Sequence, residues 1–368
     1  MNNLRKGYTT GTCAAAAARA AVKALWGPGK IEDRVRVTLP RGEVIELPVT
    51  VRRGEGWAEA TVIKDAGDDP DITHGAAVQV RARPGGRGIT LKAGRGVGKV
   101  TLPGLAVPVG EPAINPVPRA MIFAAVRDFI PEGEGVELTI SIPGGEELAR
   151  RTLNPHLGIV GGLSILGTTG IVEPMSEEAL RVSLLPQIDV ARAAGFRAIV
   201  LTPGRRGQRQ AVEGYGLPER AVILSGNYIG DLLKACAERG LKKVLLWGGV
   251  GKLVKVAGGI FNTHSRTADA RREIVAARAA AWGLPPEGVQ AILSANSLEV
   301  VVQILRGFWE ERRSREFWDH LASVASKRSR ELVGDVLEVG TAFLDLAGGI
   351  VGQDEEGARI MEDLQHAG

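Results

Sequence analysis

Cysteine is almost missing from this chain. Only Cys13 and Cys236 occur in 368 residues, far apart and in no metal-ligand spacing, so neither a disulfide framework nor a zinc site is expected. Aromatic residues make up only 4%, and they do not interleave with clustered Lys and Arg as a nucleic-acid surface requires. Apolar runs are short: the one after Gly11 is broken by Arg19 and Lys23. No signal peptide or membrane span is therefore expected, and the reading is a cytoplasmic protein without a membrane partner. No repeat is evident, and the alanine run near the N-terminus is the one low-complexity tract.

Glycine, by contrast, is abundant at 49 residues, about twice its usual share, which implies many tight turns and places where backbone meets backbone or ligand. Lys and Arg exceed Asp and Glu by 46 − 42 = 4. So mild an excess suits an anionic small molecule better than a long nucleic acid. The length allows two domains, each with its own core.

The rhythm of the sequence changes along the chain. "VRVTLP" from Val35, "VIELPVTV" from Val44, "WAEATVIK" from Trp57 and "AVQVRAR" from Ala77 alternate with period two. With "VELTISI" and a helix capped by Asn115, they predict an α+β domain over residues 1–150 with a mainly antiparallel sheet. From Gly158, the apolar runs "GIVGGLSIL", "RAIVLT", "AVILS" and "KKVLLWG" are separated by helical stretches, Ser176 to Ala194 and Asn227 to Arg239. That alternation predicts a parallel, helix-covered α/β domain over residues 151–368, with ligands at the carboxyl ends of the strands. Beyond Gly283 the pattern reads as chiefly helical, and the charged stretch from Trp309 as a solvated amphipathic helix.

Four stretches carry chemistry. In "RKGYTTGTCAAAAARAAVKALWG", Thr12 reads as the cap of an alanine helix that stops at Gly27-Pro28-Gly29. Free N–H groups and the hydroxyls of Thr9, Thr10 and Thr12 would form an anion seat; the alternative is a capped helix packed closely on a sheet. In "GIVGGLSILGTTGIVEPMS", the turn Gly167, Thr168, Thr169, Gly170 precedes Glu173, a carboxylate suited to a ribose or a cation. The glycine spacing is not that of a dinucleotide fingerprint, and a plain strand-to-helix connection reads equally well. In "LSGNYIGD", Gly226 and Asn227 follow a strand, with Asn227 a natural cap. "LLWGGVGKLVKVAGGIFNTHSRTADARRE" fails as a phosphate loop, having Leu246 and Leu253 where glycine and Ser or Thr are needed. It does place Lys252 and Lys255 on one helical side, followed by Asn262, Thr263, His264, Ser265 and Arg266. A polar cluster of this kind belongs in a cleft, with His264 an acid or base or a structural histidine. His74 among Asp65, Asp68, Asp69 and Asp71 reads as a solvated turn before a cation site.

In order along the chain, "GYTTGTCAAAAA", "GEPAINPVPRAMI", "SIPGGEELARRTLNPHLGIVGGLSILGTTGIVEPMS", "GNYIGD" and "GKLVKVAGGIFNTHSRTADAR" closely resemble the cobalt-precorrin-5B C1-methyltransferase family of anaerobic cobalamin synthesis. The resemblance runs from about Gly7 to Arg271 and is weaker through the C-terminal helices. It implies an α+β domain and a Rossmann-like one, and transfer of a methyl group from S-adenosylmethionine to C1 of a corrin precursor. Cobalt would enter only as part of the substrate, with no metal held by side chains. On that footing S-adenosylmethionine is expected at Gly161, Gly162, Ser164, Gly167, Thr168, Thr169, Gly170, Glu173, Gly226 and Asn227. The ring carboxylates are expected at Lys6, Thr9, Thr10, Thr12, Arg119, Lys252, Lys255, Asn262, Thr263 and Arg266, with the alanine face admitting the ring edge. His264 or Asp231 would take a proton if the ring must lose one. A homo-oligomer is compatible with the sequence. Two alternatives stand at this level: a tetrapyrrole methyltransferase acting on a metal-free precursor or another carbon, and a non-enzymatic binding module.

Overall fold

Between Cys13 and Ala21 the chain is alanine apart from Cys13 itself and Arg19, close to the highest helix propensity a sequence can have. In the computed structural model, which describes residues 4–27 and 32–367, this stretch lies in helix α1 (Thr10–Trp26). The cap is Thr9 and not Thr12: Thr9 is extended and its hydroxyl accepts the Thr12 N–H. Gly27 closes the helix with its N–H on the Lys23 carbonyl, while Pro28 and Gly29 lie outside the described residues. Ala14 through Ala18 are fully buried, so no alanine face is left for a ring edge.

The chain is a mixed α/β protein in two compact units, Met1–Glu177 and Glu178–Gly368. The first unit contains strands β1 (Gly7–Tyr8), β2 (Arg34–Thr38), β3 (Val44–Pro48), β4 (Thr50–Gly54), β5 (Trp57–Ile63), β6 (Ala77–Pro84), β7 (Gly88–Ala93), β8 (Gly96–Val97) and β9 (Lys99–Val100). Helix α2 (Pro116–Val126), β10 (Gly135–Ser141), α3 (Gly145–Ala149), β11 (Ile159–Val160), β12 (Gly162–Leu163) and β13 (Ile171–Val172) follow. The main sheet has the order β4-β5-β6-β10-β7, antiparallel except where β10 meets β7. Alternate residues Ala58, Ala60 and Val62, then Val78, Val80 and Ala82, are buried, and α1 packs on β5 and β6. The division falls later than the expected boundary at residue 150, because β11 pairs with β9, β12 with β8 and β13 with β1. "GIVGGLSIL" therefore belongs to the first unit as two short strands and does not open the parallel sheet.

The second unit contains helices α4 (Glu177–Leu184) and α5 (Pro186–Ala193), divided where Pro186 lacks an N–H, then β14 (Ala198–Thr202) and α6 (Arg205–Arg209). Next come β15 (Val222–Leu224), α7 (Ile229–Glu238), β16 (Lys243–Gly249), α8 (Val250–Ala257), α9 (Arg271–Ala281), α10 (Pro286–Ser294), α11 (Leu298–Phe308) and α12 (Glu311–Leu332). Strands β17 (Glu338–Leu344) and β18 (Ile350–Gln353) and helix α13 (Glu355–His366) complete it. The sheet order is β15-β14-β16-β17-β18, parallel up to β17 and antiparallel at the β18 edge. Helices cover both faces: Val200, Leu245, Trp247, Ala342 and Leu344 pack with Ile360 and Leu364 of α13. On the opposite face Thr341 and Phe343 meet Ser326 and Trp318 of α12. The stretch beyond Gly283, expected to be chiefly helical, thus also supplies a central strand. Buried on both faces, β17 has no period-two alternation to betray it. Among the described residues no helix is long and apolar enough to cross a membrane.

An ion pair with a fully buried lysine lies in the first unit. Lys64 is 1% exposed, and its ammonium donates to Asp71 Oδ2 at 2.7 Å. Asp71 Oδ1 accepts the Thr73 N–H at 2.7 Å and the Thr73 hydroxyl at 2.6 Å. Burial pushes the Asp71 carboxyl up, but the bonds from Lys64 and Thr73 outweigh it and hold the pKa below its ordinary value. A carboxylate so lowered adds stability above its unfolded pKa, about 3.9, and loses it as pH falls through the folded value. Asp71→Ala, which strands a buried ammonium, is expected to destabilise the first unit by about 3 kcal/mol. Urea unfolding followed by hydrogen exchange of residues 60–80 should show a lower midpoint at pH 7. The gap to the unaltered protein should narrow below about pH 4; an equal midpoint at pH 7 would mean Lys64 needs no partner.

Candidate functional site

The threonines at the entry of α1 face inward. Thr9, Thr10 and Thr12 are all buried. The Thr10 hydroxyl accepts the Leu166 N–H at 2.9 Å and donates to the Leu166 carbonyl at 3.2 Å. The Thr12 hydroxyl donates to the Gly170 carbonyl at 2.7 Å. Backbone completes the seam: Thr9 N–H donates to Gly170 and Gly11 N–H to Leu166. The groups expected to seat an anion are thus engaged with one another or with carbonyls of the 164–170 loop, and the close-packed alternative describes this helix.

Three glycines in or just before that loop make room for close neighbours, Gly162 for backbone and Gly167 and Gly170 for side chains. A Cβ on Gly162 would lie 2.2 Å from the Gly96 carbonyl carbon. Gly167, at φ +134°, would strike the Thr9 hydroxyl, and Gly170, at φ +83°, would meet Leu39 and Thr12. Gly161 points a Cβ into open space. Ser164 donates to Asn154 Oδ1 at 3.2 Å, and Asn154 Nδ2 donates to the Gly162 carbonyl at 3.0 Å. Thr169 closes a turn on Ile171, while Thr168 is exposed. Glu173 pairs with Lys6 at 2.7 Å, both exposed, and the ammonium holds the Glu173 carboxyl below its usual range. Arg119 reaches Glu111 at 3.4 Å. Cofactor and substrate candidates of the first unit are therefore largely bonded to one another.

In the second unit the structure does gather the expected polar residues. Lys252 donates to Asn227 Oδ1 at 2.8 Å, and Thr263 N–H donates to the Asn227 carbonyl. Asn262 bridges to Tyr228 and accepts the His264 N–H. Lys255 is 2% exposed; its ammonium donates to the carbonyls of Thr263 at 3.1 Å and Ala268 at 2.7 Å. Desolvation lowers the pKa of both lysines, with Asp269 opposing it at Lys255. Arg266 is exposed, and Gly226 adopts φ +56° beside Asn227.

Both expected bases already have partners within the unit. His264 Nδ1 accepts the Arg266 N–H at 3.1 Å, which leaves Nε2 as the other ring nitrogen. Asp231 is held by Arg181 at 2.9 Å.

A crevice opens at the carboxyl ends of β14, β16 and β17 in this unit. It measures about 290 Å³ and is lined by residues including Thr202, Gly204, Arg206, Gly249, Lys252, Arg271, Glu299 and Asp345. From β14 the chain goes to β15 on one side, and β16 lies on the other, so the connections diverge and leave this gap. Gly204 and Gly249 have open space where a Cβ would stand. Of the expected residues only Lys252 lines it. The signal for the others was present in "LTPGRRG" and "LLWGG", polar or glycine pairs just past apolar runs; Asp345 depended on recognising β17.

Thr12→Val should cost about 1–2 kcal/mol by leaving the Gly170 carbonyl short of a donor. Hydrogen exchange should quicken in 164–172 while ligand affinity in the second unit stays unchanged. Loss of that affinity with normal exchange would restore a binding role for the threonines.

Comparison with known proteins gives the lineage. The family model described as CbiD matches residues 1–174, and that described as CbiD, C-terminal domain, matches residues 262–355. A cobalt-precorrin-5B C(1)-methyltransferase of Moorella thermoacetica is 63% identical over 99% of this chain and 98% of its own length. The protein of that name from Desulfitobacterium hafniense is 48% identical over 98% of this chain and 93% of its own. That from Methanocaldococcus jannaschii is 46% identical over 81% and 83%. Among solved structures, a cobalamin biosynthesis protein (cbiD) from Archaeoglobus fulgidus is 32% identical, covers 73% of this chain and 84% of its own, and has a TM-score of 0.39. With relatives alike over nearly its whole length and both family models matched in order, the chain belongs to the CbiD family.

Proposed function

We propose that this chain is a methyltransferase that moves a methyl group from S-adenosylmethionine to C1 of cobalt-precorrin-5B, giving cobalt-precorrin-6A in anaerobic cobalamin synthesis. The observation that carries the reading is the 63% identity over 99% of the chain to a protein named for that reaction. The substrate is then a corrinoid, and its cobalt is part of the substrate.

The second unit reads as a Rossmann-like domain, and its crevice is the proposed place of the methyl donor. Strand order and position support this, since open parallel sheets bind ligands where the connections diverge. The lining fits such a molecule. Gly204 and Gly249 leave the backbone bare for a flat base to approach. Asp345 and Glu299 supply acceptors for ribose hydroxyls and a positive amino group, and Arg206, Lys252 and Arg271 supply cations for a carboxylate. When bound, S-adenosylmethionine supplies a methyl already activated on a sulfonium. What the chain must do is hold donor and ring carbon in line and keep water out. Of the residues expected to meet the ring carboxylates, exposed Arg266 and Lys252, whose partner among the described residues is the neutral Asn227, have charge to offer.

Anaerobic incubation of the purified protein with S-adenosylmethionine and cobalt-precorrin-5B, read by mass spectrometry and NMR, should show one added methyl at C1. An authenticated substrate left unmethylated by folded protein would overturn the assignment. Gly249→Leu should weaken S-adenosylmethionine binding at least ~10-fold by filling the open space, with little change in melting temperature. Normal affinity would move the donor elsewhere. His264→Ala should keep turnover within about three-fold, because its accepting nitrogen is engaged; a loss near the 10²–10⁴ of a general base would reinstate it as one.

A further inference from the structure

The first turn of α9 holds an arginine in an unfavourable place. Arg271 is the first residue of the helix, where the positive end of the dipole disfavours a cation. It is held there by a fork: Nε donates to Asp269 Oδ1 at 2.6 Å and Nη2 to Asp269 Oδ2 at 2.9 Å. Asp269 lies 4.0 Å from the buried Lys255 ammonium, which also fastens the carbonyls of Thr263 and Ala268 on the same loop. The guanidinium plane is thereby fixed on two of its three nitrogens, at a side-chain exposure of 36%.

The third nitrogen is the informative one. Nη1 is 3.8 Å from the point where a Cβ on Gly251 would stand, and both residues line the crevice. Nη1 thus lies beside Gly251 on the crevice wall, and neither of its N–H groups serves an Asp269 oxygen. Lys252 is next in sequence on the same wall.

We propose that Arg271 receives the α-carboxylate of the methyl donor through Nη1, with Asp269 as the positioning residue that sets the guanidinium plane. The assignment rests on the reading of the crevice as the S-adenosylmethionine site. It divides the ligand: the carboxylate lies toward the start of α9, and the amino group is balanced by Glu299 on the same wall. Arginine suits this task because its charge is permanent and its fork can serve Asp269 and a ligand at once.

Calorimetry on the full chain tests this with three probes: S-adenosylmethionine, its decarboxylated analogue and 5′-methylthioadenosine, each against the unaltered protein and Arg271→Met. The unaltered protein should prefer S-adenosylmethionine over the decarboxylated analogue by about 10- to 100-fold, the range of a charge-assisted hydrogen bond. In Arg271→Met the preference should shrink to within about three-fold, with 5′-methylthioadenosine binding unchanged; Arg271→Lys should restore part of it. A preference that survives Arg271→Met overturns the assignment, as does parallel loss of all three probes, which marks a structural role. Failure of all three to bind the unaltered protein removes the crevice reading itself, a result distinct from either.

Discussion

Close backbone approach around α1 is the constraint on which the first unit depends. Gly11 leaves room for Pro118 of α2, where a Cβ would come within 2.7 Å of the proline ring. Gly7 and Gly67 do the same for the strand that enters the helix: a Cβ on Gly7 would lie 2.1 Å from the Ala66 carbonyl carbon, and one on Gly67 2.0 Å from the Arg5 carbonyl oxygen. Alanine on the helix and alanine or valine on β5 and β6 bring helix and sheet together without long side chains between them. Each such contact buries little area, so stability must come from many well-fitted contacts and from satisfied backbone groups. That explains why the threonines at the helix entry are spent on loop carbonyls.

The second unit solves a different problem. A parallel sheet buried on both faces leaves only the strand ends for chemistry, and the gap between diverging connections is where charge can be placed without being buried. Arg206, Lys252, Arg271, Glu299 and Asp345 all come from loops or helix starts that follow strands, or from helices packed beside them. The rigid sheet sets their spacing, and the glycines after β14 and β16 keep the opening clear.

Much of this was legible in the sequence. Period-two alternation located β2, β3, β5, β6 and β10, each with one buried face, and the amphipathic charged stretch became α12. The polar group around Asn227, Asn262 and Thr263 was also visible as residues costly to leave unpaired. What could not be read was long-range pairing. Two-residue strands such as β11, β12 and β13 have no periodicity; they exist because a distant partner offers the matching backbone. The same gap misplaced the unit boundary and made Thr9 to Thr12 look available. A hydroxyl near a helix start is equally suited to a ligand or to a carbonyl 156 residues away, and Thr10 takes the carbonyl.

Lys252 and Lys255 show the limit most clearly. They stand three residues apart on α8, with the same side chain and the same helical side, and both have pKa values lowered by desolvation. Yet Lys255 is buried with its ammonium on two backbone carbonyls, while Lys252 lines the crevice and is bonded to the neutral Asn227 oxygen. A lysine that saturates its donors on carbonyls has fixed a loop and has little left for a ligand. A lysine bonded to one amide oxygen keeps two donors for a ligand, and an arriving anion would favour its charged form. Net charge therefore says little about where an anionic substrate binds. What decides is how much of each cation the fold has already consumed, and by that measure Lys252, at the crevice, has more to offer an anion than Lys255.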